Sequence, residues 1–242
     1  MQDKQIQSLI FSVYYAKGLL YSSLQKYKEA IKSFDSSLDF ENYSHILSSN
    51  TGLLKEELQN HRQFFDSTSK AINGKIRNSN ELSTKSNAQQ YLDKYGQVIE
   101  YFVSLIDPEG NEVPATAPDF AAMFYIPLSD NDSQNFRLQC GHAHYNKALS
   151  QIVLQEQEEA LKSLHITNKI LPEFYLSYIA KAEIYKGQRE FMKAVVQYDM
   201  AIRLEENNPD SYFNRSVLLF EIGKTKLAKE DFAKWQRLKQ ES

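Results

Sequence analysis

One cysteine, Cys140, stands in 242 residues, so no disulfide can close within the chain. That usage fits a reducing, cytoplasmic setting, with an organelle matrix also compatible. Glycine and proline number 8 and 6, as in a mostly helical chain. No phosphate-cradling glycine loop and no nucleophile elbow is present. No run of 18 apolar residues occurs, which excludes a membrane-spanning helix. Met1 to Phe11 lacks the charged start and apolar core of a secretory signal. Asp3 and the lack of arginine before Arg62 argue against a transit peptide. The formal net charge is −3, and the pI near 6.0 supplies no general attraction to nucleic acid or anionic membrane.

What is present is periodic. Small residues return every 34 positions at Gly18, Gly52 and Ser86, then at Ala148, Ala182 and Ser216 after a 28-residue insertion. Small side chains at fixed spacing mark close helix approaches, and this period signals stacked helical hairpins. Twelve positions later come Ala30, Phe64, Val98, Ala160, Ala194 and Ala228; sixteen later come Phe34, Thr68, Phe102, Leu164, Tyr198 and Phe232. These columns predict a right-handed, all-α solenoid of about six hairpins, with turns near residues 25, 59, 93, 155, 189 and 223. The N-terminal part is 1–112, with repeats at 11–44, 45–78 and 79–112, the last two degenerate. An insertion loop follows at 113–140, then repeats at 141–174, 175–208 and 209–242. Ala182 and Ala194 are expected to be buried where paired helices meet.

The pattern resembles the tetratricopeptide repeat. Tyr14, Gly18, Tyr21, Tyr27, Ala30 and Phe34 carry the likeness in the first repeat. Tyr178, Ala182, Tyr185, Phe191, Ala194 and Tyr198 carry it in the fifth, Tyr212, Gly223, Ala228 and Phe232 in the last, and Pro172 closes the fourth. The resemblance implies a non-catalytic scaffold that binds proteins through a concave groove lined by the first helix of each repeat. Carried over by helix phase, the groove of the C-terminal repeats offers Tyr145, Leu149 and Ile152, then Leu176, Ile179 and Glu183, then Phe213, Asn214, Val217 and Phe220. Such an apolar trough suits a partner's peptide or amphipathic helix. The competing expectation is a structural or assembly subunit bound through its ends and insertion. A small-ligand regulatory domain is a more distant alternative.

The insertion carries Phe120, Met123, Phe124, Tyr125 and Ile126, too many large apolar residues to leave freely solvated. It either folds back over the solenoid, filling the trough, or contacts a partner. Chaperone-binding members of the family grip a C-terminal carboxylate with lysine, asparagine and arginine from three repeats. Tyr212 to Ser216 resembles the middle element, and Tyr145 to Ala148 does so less closely. Ile179, Glu183, Leu176 and Ala180 stand where cations and amides are required, so no carboxylate clamp is expected.

No cofactor or metal is expected. In Cys140-x-His142-x-His144 the middle side chain points about 200° from the first. Asp130-x-Asp132-x-Gln134 begins like a calcium loop, but Asn135 and Gly141 occupy the positions of the turn glycine and the bidentate acid. In the last helix, Leu227, Ala228, Phe232, Trp235 and Leu238 are expected to form the inward stripe. Six basic residues over Lys224–Lys239 read as a solvated face.

Overall fold

The computed structural model describes residues 11, 14, 15, 17–39 and 130–241, with side chains of 130–135 left aside. The chain divides into two compact units, Met1–Ser150 and Gln151–Ser242. In the first unit, residues 11, 14, 15 and 17–23 are helical and form α1. α2 spans Tyr27–Leu38, and α3 spans Asp130–Val153, its last turn reaching into the second unit. The second unit continues with α4 (Gln157–Ile170), α5 (Tyr175–Gly187), α6 (Phe191–Leu204), α7 (Pro209–Glu221) and α8 (Thr225–Glu241). No strand occurs among the described residues, and the fold class is the all-α solenoid type that the period predicts. The repeats expected at 45–78 and 79–112, and insertion residues 113–129, lie outside the described residues.

One expectation is corrected. The insertion does not stay a loop to residue 140, because α3 begins at Asp130. Asp130, Asp132 and Gln134 therefore lie within a helix, where no calcium loop can form.

The hairpin turns share one geometry. Gln25, Gln155, Arg189 and Gly223 each have positive φ, at 63°, 62°, 58° and 76°. These four occupy a single position of the 34-residue frame once the insertion is removed. In each turn the next residue donates its N–H five residues back: Lys26 to Tyr21, Glu156 to Gln151, Glu190 to Tyr185 and Lys224 to Leu219, at 2.8–2.9 Å. The positive-φ residue itself donates three back, completing a Schellman motif that satisfies orphan carbonyls of the first helix. Only the last of the four uses glycine. A left-handed conformation costs other residues about 1–2 kcal/mol. Arg189→Gly should therefore raise stability by a few tenths to about 1 kcal/mol, after the extra unfolded-state freedom of glycine is subtracted. Urea midpoints of the two proteins would measure it, and a loss of stability would mean the turn is not strained.

Among the described residues, the repeat columns are core positions except at Phe232. Ala182 and Ala194 are fully buried, as are Ala30, Ala160, Phe34, Leu164 and Tyr198. In the second unit α4 packs on α5, α5 on α6, α6 on α7, and α7 on α8. Ala182, Ala194, Val195, Tyr198, Leu218, Leu219 and Ala228 form one cluster, so the α5–α6 and α7–α8 hairpins share a core. A small residue at 182 lets the second helix approach, and the large ring at 198 fills the space that approach encloses. In the first unit, Phe11 stacks on Tyr15 at 5.6 Å and meets Phe136 edge-on at 5.4 Å. Tyr15 also lies 6.0 Å from Phe34.

A second small column, not singled out from the sequence, is made by Ala143, Ser177 and Ser211. All three are fully buried, Ser177 and Ser211 in the first turns of α5 and α7 and Ala143 in the middle of α3. Ser177 accepts a 2.7 Å hydrogen bond from Asn168 Nδ2 of the preceding helix and donates to the Phe174 carbonyl at 2.8 Å. The start of α7 follows local chemistry: Asn208 caps it by accepting from Ser211 N–H at 3.1 Å, and Pro209 occupies its first turn.

Candidate protein-binding face

The expected groove residues lie on α3, α5 and α7 and differ in exposure. On α5, Leu176, Ile179 and Glu183 are half-buried, and Ile179 packs against the shared core. Ile152, at the end of α3, and Asn214 are also half-buried. On α7, Phe213, Val217 and Phe220 are 39%, 44% and 66% exposed. Their spacing of four and three puts them on one line along the helix, about two turns long. Tyr145 (half-buried) and Leu149 (exposed) belong to the first unit.

The Glu183 carboxylate on this face is already engaged. Tyr198 donates its hydroxyl to Glu183 Oε1, and Lys186 pairs with Glu183 Oε2. Burial, then the hydrogen bond and charge of Glu183, pushes the Tyr198 phenol far above its ordinary pKa, so it stays a donor. Phe213 lies 5.1 Å from the Trp235 ring, and Trp235 lies 4.9 Å from Phe232. Part of the line on α7 thus merges with an aromatic cluster on α8.

The inward stripe of α8 differs from the one expected. Ala228 and Leu238 are buried, but so is Asp231, while Leu227 and Phe232 are exposed. The cause is Arg215 on α7. Its Nε and Nη2 reach Asp231 Oδ2 and Oδ1 at 2.7 and 2.6 Å, and Nη1 reaches Asp199 of α6 at 2.7 Å. Burial disfavours the guanidinium charge, but the two carboxylates outweigh it and raise the Arg215 pKa. One side chain thereby ties three helices. Reading apolar periodicity alone misses it, because the inward residue on α8 is charged.

A sequence model of the tetratricopeptide repeat matches residues 11–42. That match covers α1, its Schellman turn and α2, and the same turn recurs at residues 155, 189 and 223. Residues 11–42 form a tetratricopeptide repeat. No curated protein sequence matches it. Among solved structures, a crystal structure of MamA is similar at 16% identity, covering 65% of this chain and 91% of that one, with a TM-score of 0.46. A MamA RS-1 ArsTM double mutant is similar at 14% identity, covering 80% and 96%, with a TM-score of 0.41.

In the hairpins that share this turn, the residues that resemble clamp elements are held by the fold. Arg215 is occupied by Asp231 and Asp199, Lys147 by Asp35, and Asn146 Nδ2 donates to Tyr15 Oη at 3.1 Å. Cys140 and His144 are helix-packing residues. Burial pushes the thiol up to about 12, and burial followed by the charge of Lys147 pulls His144 down to about 3. Both are neutral at pH 7. Among the described residues no group of three His, Cys, Asp or Glu side chains is placed to hold a metal. No described helix is long and apolar enough to cross a membrane.

Proposed function

We propose that the chain is a non-catalytic interaction scaffold whose C-terminal repeats bind an apolar peptide or amphipathic helix of a partner protein along α5 and α7. The observation that carries this reading is the exposed line Phe213, Val217 and Phe220. Large apolar side chains on one face of a well-packed helix match a partner's anchors at i, i+3 or i+4, and i+7. The half-buried Leu176 and Ile179 extend that apolar surface on α5, with Glu183 and Asn214 as its polar points.

Val217→Glu and Phe220→Glu are the variants that test it, because their exposure spares the fold. Ile179 is unsuited, since its contact with the core would mix folding with binding. A carboxylate buried unpaired in a complex costs several kcal/mol, against about 8 kcal/mol for a micromolar interaction. Peptides selected from a displayed library on the wild-type chain should lose binding to both variants, whose melting stays within a degree or two. Failure to enrich any peptide, or equal binding to the variants, would remove the groove reading and leave the structural-subunit one.

A further inference from the structure

One ion pair recurs across the seams between packed hairpins. Lys147, Lys181 and Arg215 share a column of the 34-residue frame, on the first helices of their hairpins. Asp35, His165 and Asp199 share another, on second helices. Within the first unit Lys147 of α3 pairs with Asp35 of α2. Within the second, Arg215 of α7 reaches Asp199 of α6 at 2.7 Å. The remaining member of the series sets Lys181 of α5 against His165 of α4, two helices that pack on each other. A cation there meets an imidazole where the other two seams carry a carboxylate. Asp231, the second acid on Arg215, has no counterpart either, because the same position in the α5–α6 hairpin is Gln197.

No other acid replaces the missing ones. Among the described residues, Lys181, Lys169 and His165 have no carboxylate within ion-pair distance. Glu159 and Glu183, on the same two helices, are taken by Lys162 and Lys186. Lys181 is half-buried, and its ammonium lies 5.8 Å over the Tyr178 ring. The Tyr178 hydroxyl donates to the Pro172 carbonyl at 3.0 Å, which fixes the ring as a floor beneath the charge. Lys169 follows His165 by four residues and so lies about one turn further along the same side of α4. Burial, then the charges of Lys181 and Lys169, lowers the His165 pKa, and burial lowers that of Lys181. Two ammonium groups and an imidazole thus share one seam without a countercharge among the described residues.

We propose that the α4–α5 seam binds the phosphate of a phosphorylated serine or threonine in a partner protein, with Lys181, His165 and Lys169 as its donors. A carboxylate offers two oxygens and one charge, as Asp35 and Asp199 do at the closed seams. A phosphate monoester offers three terminal oxygens and close to two charges, which matches three donors. His165 and Lys169 are exposed, so the seam is open to solvent and does not enclose a small ion. The phosphate gains affinity when it is carried on a chain that lies along the helices. Lys181 stands about 200° around α5 from Ile179 and Glu183, on the side away from the groove. The two sites are therefore independent.

The probe is a degenerate peptide pool with phosphoserine fixed at its centre, compared with pools carrying serine or glutamate there. The full chain should retain the phosphoserine pool at least about tenfold more than either. His165→Asp installs the acid of the other two seams. It should close the pair with Lys181, raise the melting midpoint by about 1–3 °C and abolish retention. Lys181→Met should abolish retention as well, whereas Val217→Glu, on the groove, should leave it unchanged. In the wild-type chain the phosphoserine pool should raise the His165 pKa, read by NMR from ring signals assigned through their loss in His165→Asp, because an anion favours the imidazolium. Equal retention of the glutamate pool, or retention that survives both His165→Asp and Lys181→Met, overturns the site. So does enrichment of no pool, which leaves the groove reading to its own variants. Loss with Val217→Glu alone places the peptides in the groove and overturns the seam. Movement of the His165 signals by inorganic phosphate without enrichment of any pool means an adventitious ion only, and binding confined to phosphoinositide vesicles assigns the seam to a membrane; either overturns the proposal.

Discussion

Arg215→Leu should lower folding stability by about 3–5 kcal/mol, the range seen when one partner of a buried ion pair is removed. The Asp231 side chain is only 9% exposed and receives both arms of the guanidinium fork. Leucine would leave that carboxylate in an apolar seam between α7 and α8 with its charge unanswered. The bond to Asp199 would go too, but Asp199 is 40% exposed and water can replace its partner at small cost. Arg215→Lys retains the charge and loses the bidentate geometry, so it should fall between the two. Replacing both Arg215 and Asp231 with apolar residues should recover much of the loss, because the penalty belongs to the orphaned carboxylate. Chemical denaturation of the four proteins measures this. A loss below about 1 kcal/mol for Arg215→Leu would mean that the network behaves as a solvent-screened surface pair.

Gly18→Ala should destabilise the first hairpin by about 1–3 kcal/mol, the opposite sign from the usual effect of removing a glycine from a helix. A Cβ at position 18 would lie 2.5 Å from Phe34 Cε1 and 2.6 Å from Cδ1. Phe34 is fully buried, and its ring also meets Tyr15, so it has little room to give. A smaller residue at 34 removes the clash. Gly18→Ala combined with Phe34→Leu should therefore be less destabilised than the sum of the single changes, with an interaction of about 1 kcal/mol or more. Thermal melts of the singles and the double decide it. If Gly18→Ala alone raises the midpoint, helix propensity outweighs packing there and the close approach is not real.

Legibility in the sequence followed from whether a role is local or cumulative. The 34-residue period marked the described helix pairs and their turns because most of the described repeats bury the same columns against a neighbour, so one packing requirement is written several times. Turn positions 25, 155 and 189 could be placed only through that period, since glutamine and arginine there carry no left-handed signature of their own; Gly223 alone does. The start of α7 was readable from Asn208 and Pro209, because capping involves residues three apart. The beginning of α3 at Asp130 was not, for its polar first turns look like loop until they are seen as helix.

The binding face divides in the same way. Helix phase alone placed Phe213, Val217 and Phe220 along one line of α7, and the structure leaves that line open. That Ile179 leans on the core, that Glu183 is taken by Tyr198 and Lys186, and that Phe213 runs into Trp235 and Phe232 depend on contacts between helices. Arg215 reads in sequence as an exposed cation beside a clamp-like asparagine, and Asp231 as one more surface acid. They meet only because two antiparallel helices bring residues sixteen apart to within hydrogen-bond reach. The sequence by itself determined the repeating unit, since periodic burial needs nothing but the order of residues. Which charges are buried, and which aromatic rings are exposed, only the tertiary structure decided, because burial of a given side chain depends on what the neighbouring helix places against it.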